Sequence, residues 1–196
     1  MGSTRLATNA MIFILSLLLV PNIYAQSNFK MTPNDTEGPY YPTERQSDED
    51  NDLISLNGKS KSARGDVLYL TGVVSNENGN PQSDVVIEIW QTDAKGLYRH
   101  PKDKSEGARD PFFQYWGRAK TDKEGKYSFK TIIPGKYEPR PPHIHFKVWV
   151  DEKVILTSQI YVVNEENNSS NINELLKLNV TKNTEHEYYG FFRIVY

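Results

Sequence analysis

The chain of 196 residues contains no cysteine. That excludes disulfides and a thiol-linked lipid anchor, so the fold must be held by its apolar core. It also lacks an excess of charge: 23 Lys and Arg stand against 25 Asp and Glu, a net charge of -2. No basic run stands out, since Asp122 and Glu124 interrupt Lys120, Lys123 and Lys126, and this argues against a nucleic-acid binder. Long helical periodicity and internal repeats are missing as well. The apolar run over residues 10–20 is shorter than the ~20 residues that a membrane-spanning helix needs. Histidine is scarce too, with 4 in the whole chain.

What is present begins with that apolar run. Arg5 precedes it and Pro21 and Ala25 follow it, the layout of a secretory signal peptide cut after Ala25. The expectation is a secreted or periplasmic protein with no stable membrane anchor once the leader is removed. Residues 26–65 read as an N-terminal arm and loop, and residues 66–196 as one compact β domain. In the arm, Gly38-Pro39 and Tyr41-Pro42 force extended or turn geometry. It either lies over the domain with Tyr40 and Tyr41 as anchors or, as composition alone favours, forms a loose linker.

From Val67 onward the pattern is that of strands. Residues 67–74, 85–91, 113–119, 126–132, 143–150, 154–163 and 187–196 are rich in β-branched and aromatic side chains. Asn78-Gly79 is a hairpin-type turn signal. The expected class is all-β, a sandwich core of mainly antiparallel strands with long loops carrying the site, although a barrel also fits. One weak helical candidate, residues 173–178, follows the Asn- and Ser-rich stretch 164–171.

The chemistry gathers in Arg140-Pro141-Pro142-His143-Ile144-His145-Phe146. On a strand, residues two apart face the same side, so His143 and His145 point together. Such a pair either shares a metal ion or makes ordinary hydrogen bonds on a sheet surface; the stiffening prolines and the rarity of histidine favour the metal. His100 and His186 have no obvious companion. Tyrosine is the better source of further ligands: of 12 in the chain, Tyr98 and Tyr137 lie in turns bounded by Gly or Pro after a strand end. Either one alone reads more readily as a surface or rim packing residue.

Taken together, Val86-Ile87-Glu88-Ile89-Trp90-Gln91-Thr92-Asp93-Ala94-Lys95-Gly96-Leu97-Tyr98, Trp116-Gly117-Arg118, Pro134-Gly135-Lys136-Tyr137 and the His143/His145 motif resemble the intradiol ring-cleavage dioxygenases. Thr36-Glu37-Gly38-Pro39-Tyr40-Tyr41 is similar to the family's N-terminal substrate-side loop. The resemblance implies a non-haem Fe(III) held by Tyr98, Tyr137, His143 and His145 with a hydroxide or water. It also implies a catechol-type substrate cleaved by dioxygen between its hydroxylated carbons to a cis,cis-muconate-type diacid. Two phenolates and a hydroxide neutralise a ferric ion, and hard oxygen donors keep it oxidised. Implied roles are Tyr137 as a departing axial phenolate and base, Arg140 as a fixed cation near the substrate, Gln159 as a supporting residue, and Gly38, Pro39 and Tyr40 as substrate contacts. The compact spacing from Tyr137 to His143 resembles the small exported members, which implies an open pocket.

Two other readings stand beside it. A non-catalytic transthyretin-like β-sandwich binding module explains the strands but gives no reason for the four donor residues to occur together. A zinc hydrolase would want a carboxylate beside the histidines. Nothing in the sequence selects between a monomer and a homodimer.

Overall fold

The computed structural model describes residues 29–44, 48–137, 139–164 and 171–196. The leader expected over residues 1–25 lies outside them, as does most of the 164–171 stretch. Eight strands follow in chain order: β1 (Val67–Ser75), β2 (Val86–Gln91), β3 (Trp116–Lys120), β4 (Lys126–Ile132), β5 (His143–Val150), β6 (Lys153–Val163), β7 (Lys177–Thr184) and β8 (Glu187–Val195). They form one sheet in the order β3-β2-β5-β6-β7-β8-β1-β4. β1 with β8 and β6 with β7 are parallel; the other five ladders are antiparallel. The two edge strands, β3 and β4, are consecutive in the chain and meet through the turn at residues 121–125. The sheet therefore curls until it nearly closes. The all-β expectation holds, but what was expected as two sheets is continuous through β6, β7 and β8, closer to a barrel.

Period-two alternation explains the core. Leu68 and Leu70 of β1, Phe129 of β4 and Phe192 and Ile194 of β8 turn inward against Ile87, Ile89, Ile144, Phe146, Val148 and Ile160 of β2, β5 and β6. β5 departs from simple alternation, because its outward residues His143, His145 and Lys147 are buried as well. Their cover is the arm. Thr32 N–H bonds to the Val195 carbonyl and Asp35 N–H to the Thr157 carbonyl, while Ser158 Oγ donates to the Pro33 carbonyl at 2.6 Å. Leu53 and Ile54, further along the same segment, enter the core. The arm is therefore an integral layer and not a loose linker.

Two boundaries differ from the sequence expectation. β3 starts at Trp116 because Tyr115 takes a left-handed backbone (φ 64) that no strand continues through. The helical candidate at residues 173–178 is a single 3-10 turn, Glu174–Leu176, capped by Asn173, after which β7 begins. β7 escaped notice because few of its side chains are apolar and only Leu178 is fully buried.

Candidate metal centre

The loop between β2 and β3 carries Tyr98 and is shaped by buried carboxylates. Asp93 accepts from the N–H groups of Lys95 and Leu97 and from the Tyr115 hydroxyl. Asp103 accepts the Tyr98 N–H at 2.7 Å and pairs with Arg109 at 3.1 Å. Burial on its own would raise the Asp103 pKa, but Ser105, the Tyr98 N–H and Arg109 together hold it below the usual range. The next loop, residues 133–142 between β4 and β5, carries Tyr137 and Arg140. The two loops meet glycine to glycine. Gly135 N–H donates to the Asp93 carbonyl at 2.9 Å and Thr92 Oγ1 to the Gly135 carbonyl at 2.9 Å. A Cβ at Gly135 would stand 2.2 Å from Gly96 N, and one at Gly96 would stand 2.1 Å from the Lys136 carbonyl oxygen. This closeness brings the Tyr98 and Tyr137 rings to 5.8 Å, edge to face.

Strand period two then delivers both imidazoles to the same spot. The Nε2 atoms of His143 and His145 are 3.1 Å apart, and the Tyr98 hydroxyl lies 3.2 Å from the first and 3.0 Å from the second. Three protons would be needed to make all three contacts hydrogen bonds. His143 Nδ1 bonds to the Pro141 carbonyl at 2.7 Å, which assigns its proton there and leaves a lone pair on Nε2. Tyr98 and His145 can supply two protons at most, so at least one of the three contacts has no proton of its own. Donors about 2.0–2.1 Å from a shared ion and at right angles stand about 3 Å apart, which is the spacing found. The residues present fit a transition-metal ion.

Electrostatics agree. Burial pushes the His143 pKa down to about 4 and that of His145 well below its usual value, and the nearby Arg140 cation lowers both further. Both rings are neutral at pH 7, as ligation requires. Burial also raises the Tyr98 phenol against the opposing pull of Arg140, so its phenolate needs a bound cation. Trp90 stacks on His145 at 4.9 Å and 7° and sets its ring plane.

The fourth expected ligand, Tyr137, stands back. Its hydroxyl shares a 2.9 Å hydrogen bond with Tyr40, which together with burial lifts the Tyr40 pKa to about 12. Arg140 donates to Gln159 Oε1 at 2.5 Å and to the Tyr161 hydroxyl at 2.6 Å. Tyr161 in turn donates to Asp35, and Gln159 Nε2 to the Thr36 carbonyl. Gly38 holds φ +74, and a Cβ there would meet His145 Cε1 at 3.3 Å; Pro39 is exposed beside it. The sequence-expected residues thus converge, and Trp90, Tyr161 and Asp35 join them unannounced. The β5–β6 register, pairing His143 with Tyr161 and His145 with Gln159, is what puts Tyr161 there. His100 packs 5.6 Å from the Tyr40 ring, whereas His186 is exposed and bound to Asp66. Among the described residues no three His, Cys, Asp or Glu cluster as a metal group; the oxygen beside the two imidazoles is the Tyr98 phenol, not a carboxylate.

A family model described as Dioxygenase matches residues 36–187. The chain belongs to the intradiol ring-cleavage dioxygenase family. It is 38% identical over 124 residues to the protocatechuate 3,4-dioxygenase beta chain of Burkholderia cepacia, a match over 60% of this chain and 53% of that one. It is 29% identical over 149 residues to catechol 1,2-dioxygenase 1 of Acinetobacter lwoffii, covering 67% and 46%. The chain spans about half the length of these curated relatives. Among solved structures it is similar to the dioxygenase domain of a dioxygenase and carbohydrate-binding protein fusion from Streptomyces sp. SirexAA-E. That match has a TM-score of 0.68 and 27% identity, over 85% of this chain and 98% of that one. The matched span, residues 36–187, includes Tyr98, Tyr137, His143 and His145.

Proposed function

We propose that the protein cleaves a catechol-type diol with dioxygen between its two hydroxylated carbons, giving a cis,cis-muconate-type diacid, at a non-haem Fe(III) held by Tyr98, Tyr137, His143 and His145. The observation that carries this reading is the triangle of Tyr98 Oη and the two Nε2 atoms at 3.0–3.2 Å, which hydrogen bonding alone cannot satisfy. Bound there, ferric iron would supply Lewis acidity toward the diol.

The protein's own residues do the rest. His143 and His145 present lone pairs, the first oriented by the Pro141 carbonyl and the second by the Trp90 face. Tyr137, tethered through its oxygen to Tyr40, would be held by the ion as a phenolate and in that form would take up a proton that the diol loses on binding. Arg140 cannot lose its charge, and with its guanidinium held by Gln159 and Tyr161 it stabilises negative charge on the ring as cleavage proceeds. Residues 36–41 pass over the centre, with Gly38 against His145 and Tyr40 against Tyr98 and Tyr137. On the Arg140 side lies a cleft of about 910 Å³, bordered by Asp35, Arg140, Pro141, Tyr161 and Ile172. Export belongs to the same proposal, supported by the apolar run of residues 10–20: secreted material sequenced from its N-terminus should begin at Gln26.

The test is iron analysis with a visible absorption spectrum, before and after anaerobic catechol. Tyrosinates on ferric iron make a protein red, so a red protein whose band moves with catechol supports the proposal. A protein that stays colourless after reconstitution with iron overturns it and leaves a β-sheet binding module.

A further inference from the structure

The outer face of β5 does not end at the two histidines. Lys147, two residues beyond His145, points the same way and is only 8% exposed. Its ammonium pairs with Glu37 of the arm at 2.8 Å and sits 3.5 Å over the Tyr41 ring. Tyr41 donates to Glu88 Oε1 at 2.7 Å, and Glu88, fully buried, is held on its other oxygen by Arg118. The Tyr41 ring also meets the edge of Trp90, the residue stacked on His145.

A pair whose acid is 47% exposed adds little to stability, and burying an ammonium costs desolvation that an apolar residue of the same size would avoid. The pair is better explained by registry. Charged groups with one matching partner fix which residue of a crossing segment sits where. Asp35 and Thr36 are fastened on one side by Tyr161 and Gln159, Glu37 and Tyr41 on the other by Lys147 and Glu88. Between these two fastenings lie Gly38, against His145, and Tyr40, bonded to Tyr137.

We infer that Lys147 is a positioning residue: through Glu37 and Tyr41 it sets the register of residues 37–41 over the centre, and so the placement of Gly38 on His145 and Tyr40 on Tyr137. The inference rests on the ferric-site reading for its catalytic consequence, and its structural part stands independently of iron.

The test uses the full chain with Lys147→Met and Lys147→Arg. In metal-free protein, Lys147→Met should raise amide exchange of residues 36–41 about tenfold while the amides of β2 and β5 stay protected. In iron-loaded protein the same variant should keep its iron, shift the tyrosinate band and lower kcat by about tenfold with a smaller change in KM. Lys147→Arg, which keeps a cation for Glu37, should restore the band, the exchange pattern and most of the turnover. Exchange within about twofold of the parent, or a rise spread evenly through β2 and β5, overturns the inference; so does a Lys147→Met band identical to the parent's. A parent protein that is colourless with iron sinks the ferric reading alone, because the metal-free exchange comparison still decides whether Lys147 sets the arm.

Discussion

His143, His145 and Tyr98 each owe their place to one contact that is not a ligand: the Pro141 carbonyl behind His143, the Trp90 face under His145 and the Asp103 carboxylate on the Tyr98 N–H. On the proposed ferric site, with four protein donors, deleting one leaves too little to hold the ion. Tyr98→Phe and His145→Ala should therefore lose iron and the red colour together while the far-ultraviolet circular dichroism of the sheet is unchanged. Arg140 is different in kind. It bonds to Gln159 and Tyr161, not to a donor atom of the triangle, so Arg140→Ala should keep its iron per chain. Loss of one preorganised charge facing a developing anion typically costs roughly 10²–10³ in kcat, and steady-state turnover of the iron-loaded variant measures it. Turnover equal to the parent would remove the electrostatic role given to Arg140.

At the scale of elements, the centre depends on two loops touching. Each tyrosine-bearing turn contains a glycine, and Gly96 and Gly135 pack backbone to backbone. Gly135→Ala has no room for its Cβ, so the turns must separate, with Tyr137 displaced from Tyr98; the expected result is iron content well below the parent in a protein that still folds. The strand carrying the histidines was legible, because period two on β5 is a local property of His143-Ile144-His145-Phe146. The pairing of Tyr98 with Tyr137 was not legible from spacing, since it arises from contact between residues about forty apart, and only the family resemblance pointed to it. The expectation of a helix over residues 173–178 rests on Glu174, Leu175 and Leu176, which are helix formers; β7 itself gave no strand signal because it is polar and takes its structure from pairing with β6 and β8. Composition also misjudged the arm: a segment rich in Pro, Asp and Glu looks loose until a sheet face offers Glu88, Lys147, Gln159 and Tyr161 as partners.

For the whole molecule, a chain without disulfides has to find its stability in the closed apolar core and in loops pinned by buried carboxylates. Phe146 is fully buried between the faces of the curled sheet, and Phe146→Ala should cost roughly 3–5 kcal/mol in chemical denaturation. The carboxylates make the stability sensitive to acid. Burial would raise the Asp110 pKa, but the N–H groups of Arg64 and Phe112 and the Arg64 guanidinium outweigh it and hold the group below its usual range. A carboxylate with a depressed folded pKa binds its proton more readily when unfolded. Its contribution is therefore complete above the unfolded pKa of about 3.9 and is lost as pH falls through the lower folded value. Unfolding free energy followed from pH 7 to pH 3 should hold level and then drop below about pH 4. Asp110→Asn should start lower at pH 7, by about 1–3 kcal/mol for the weakened loop bonds, and fall less on acidification, so the gap between the two proteins narrows as the parent protonates. A gap that stays constant across that range would assign the acid sensitivity to other carboxylates.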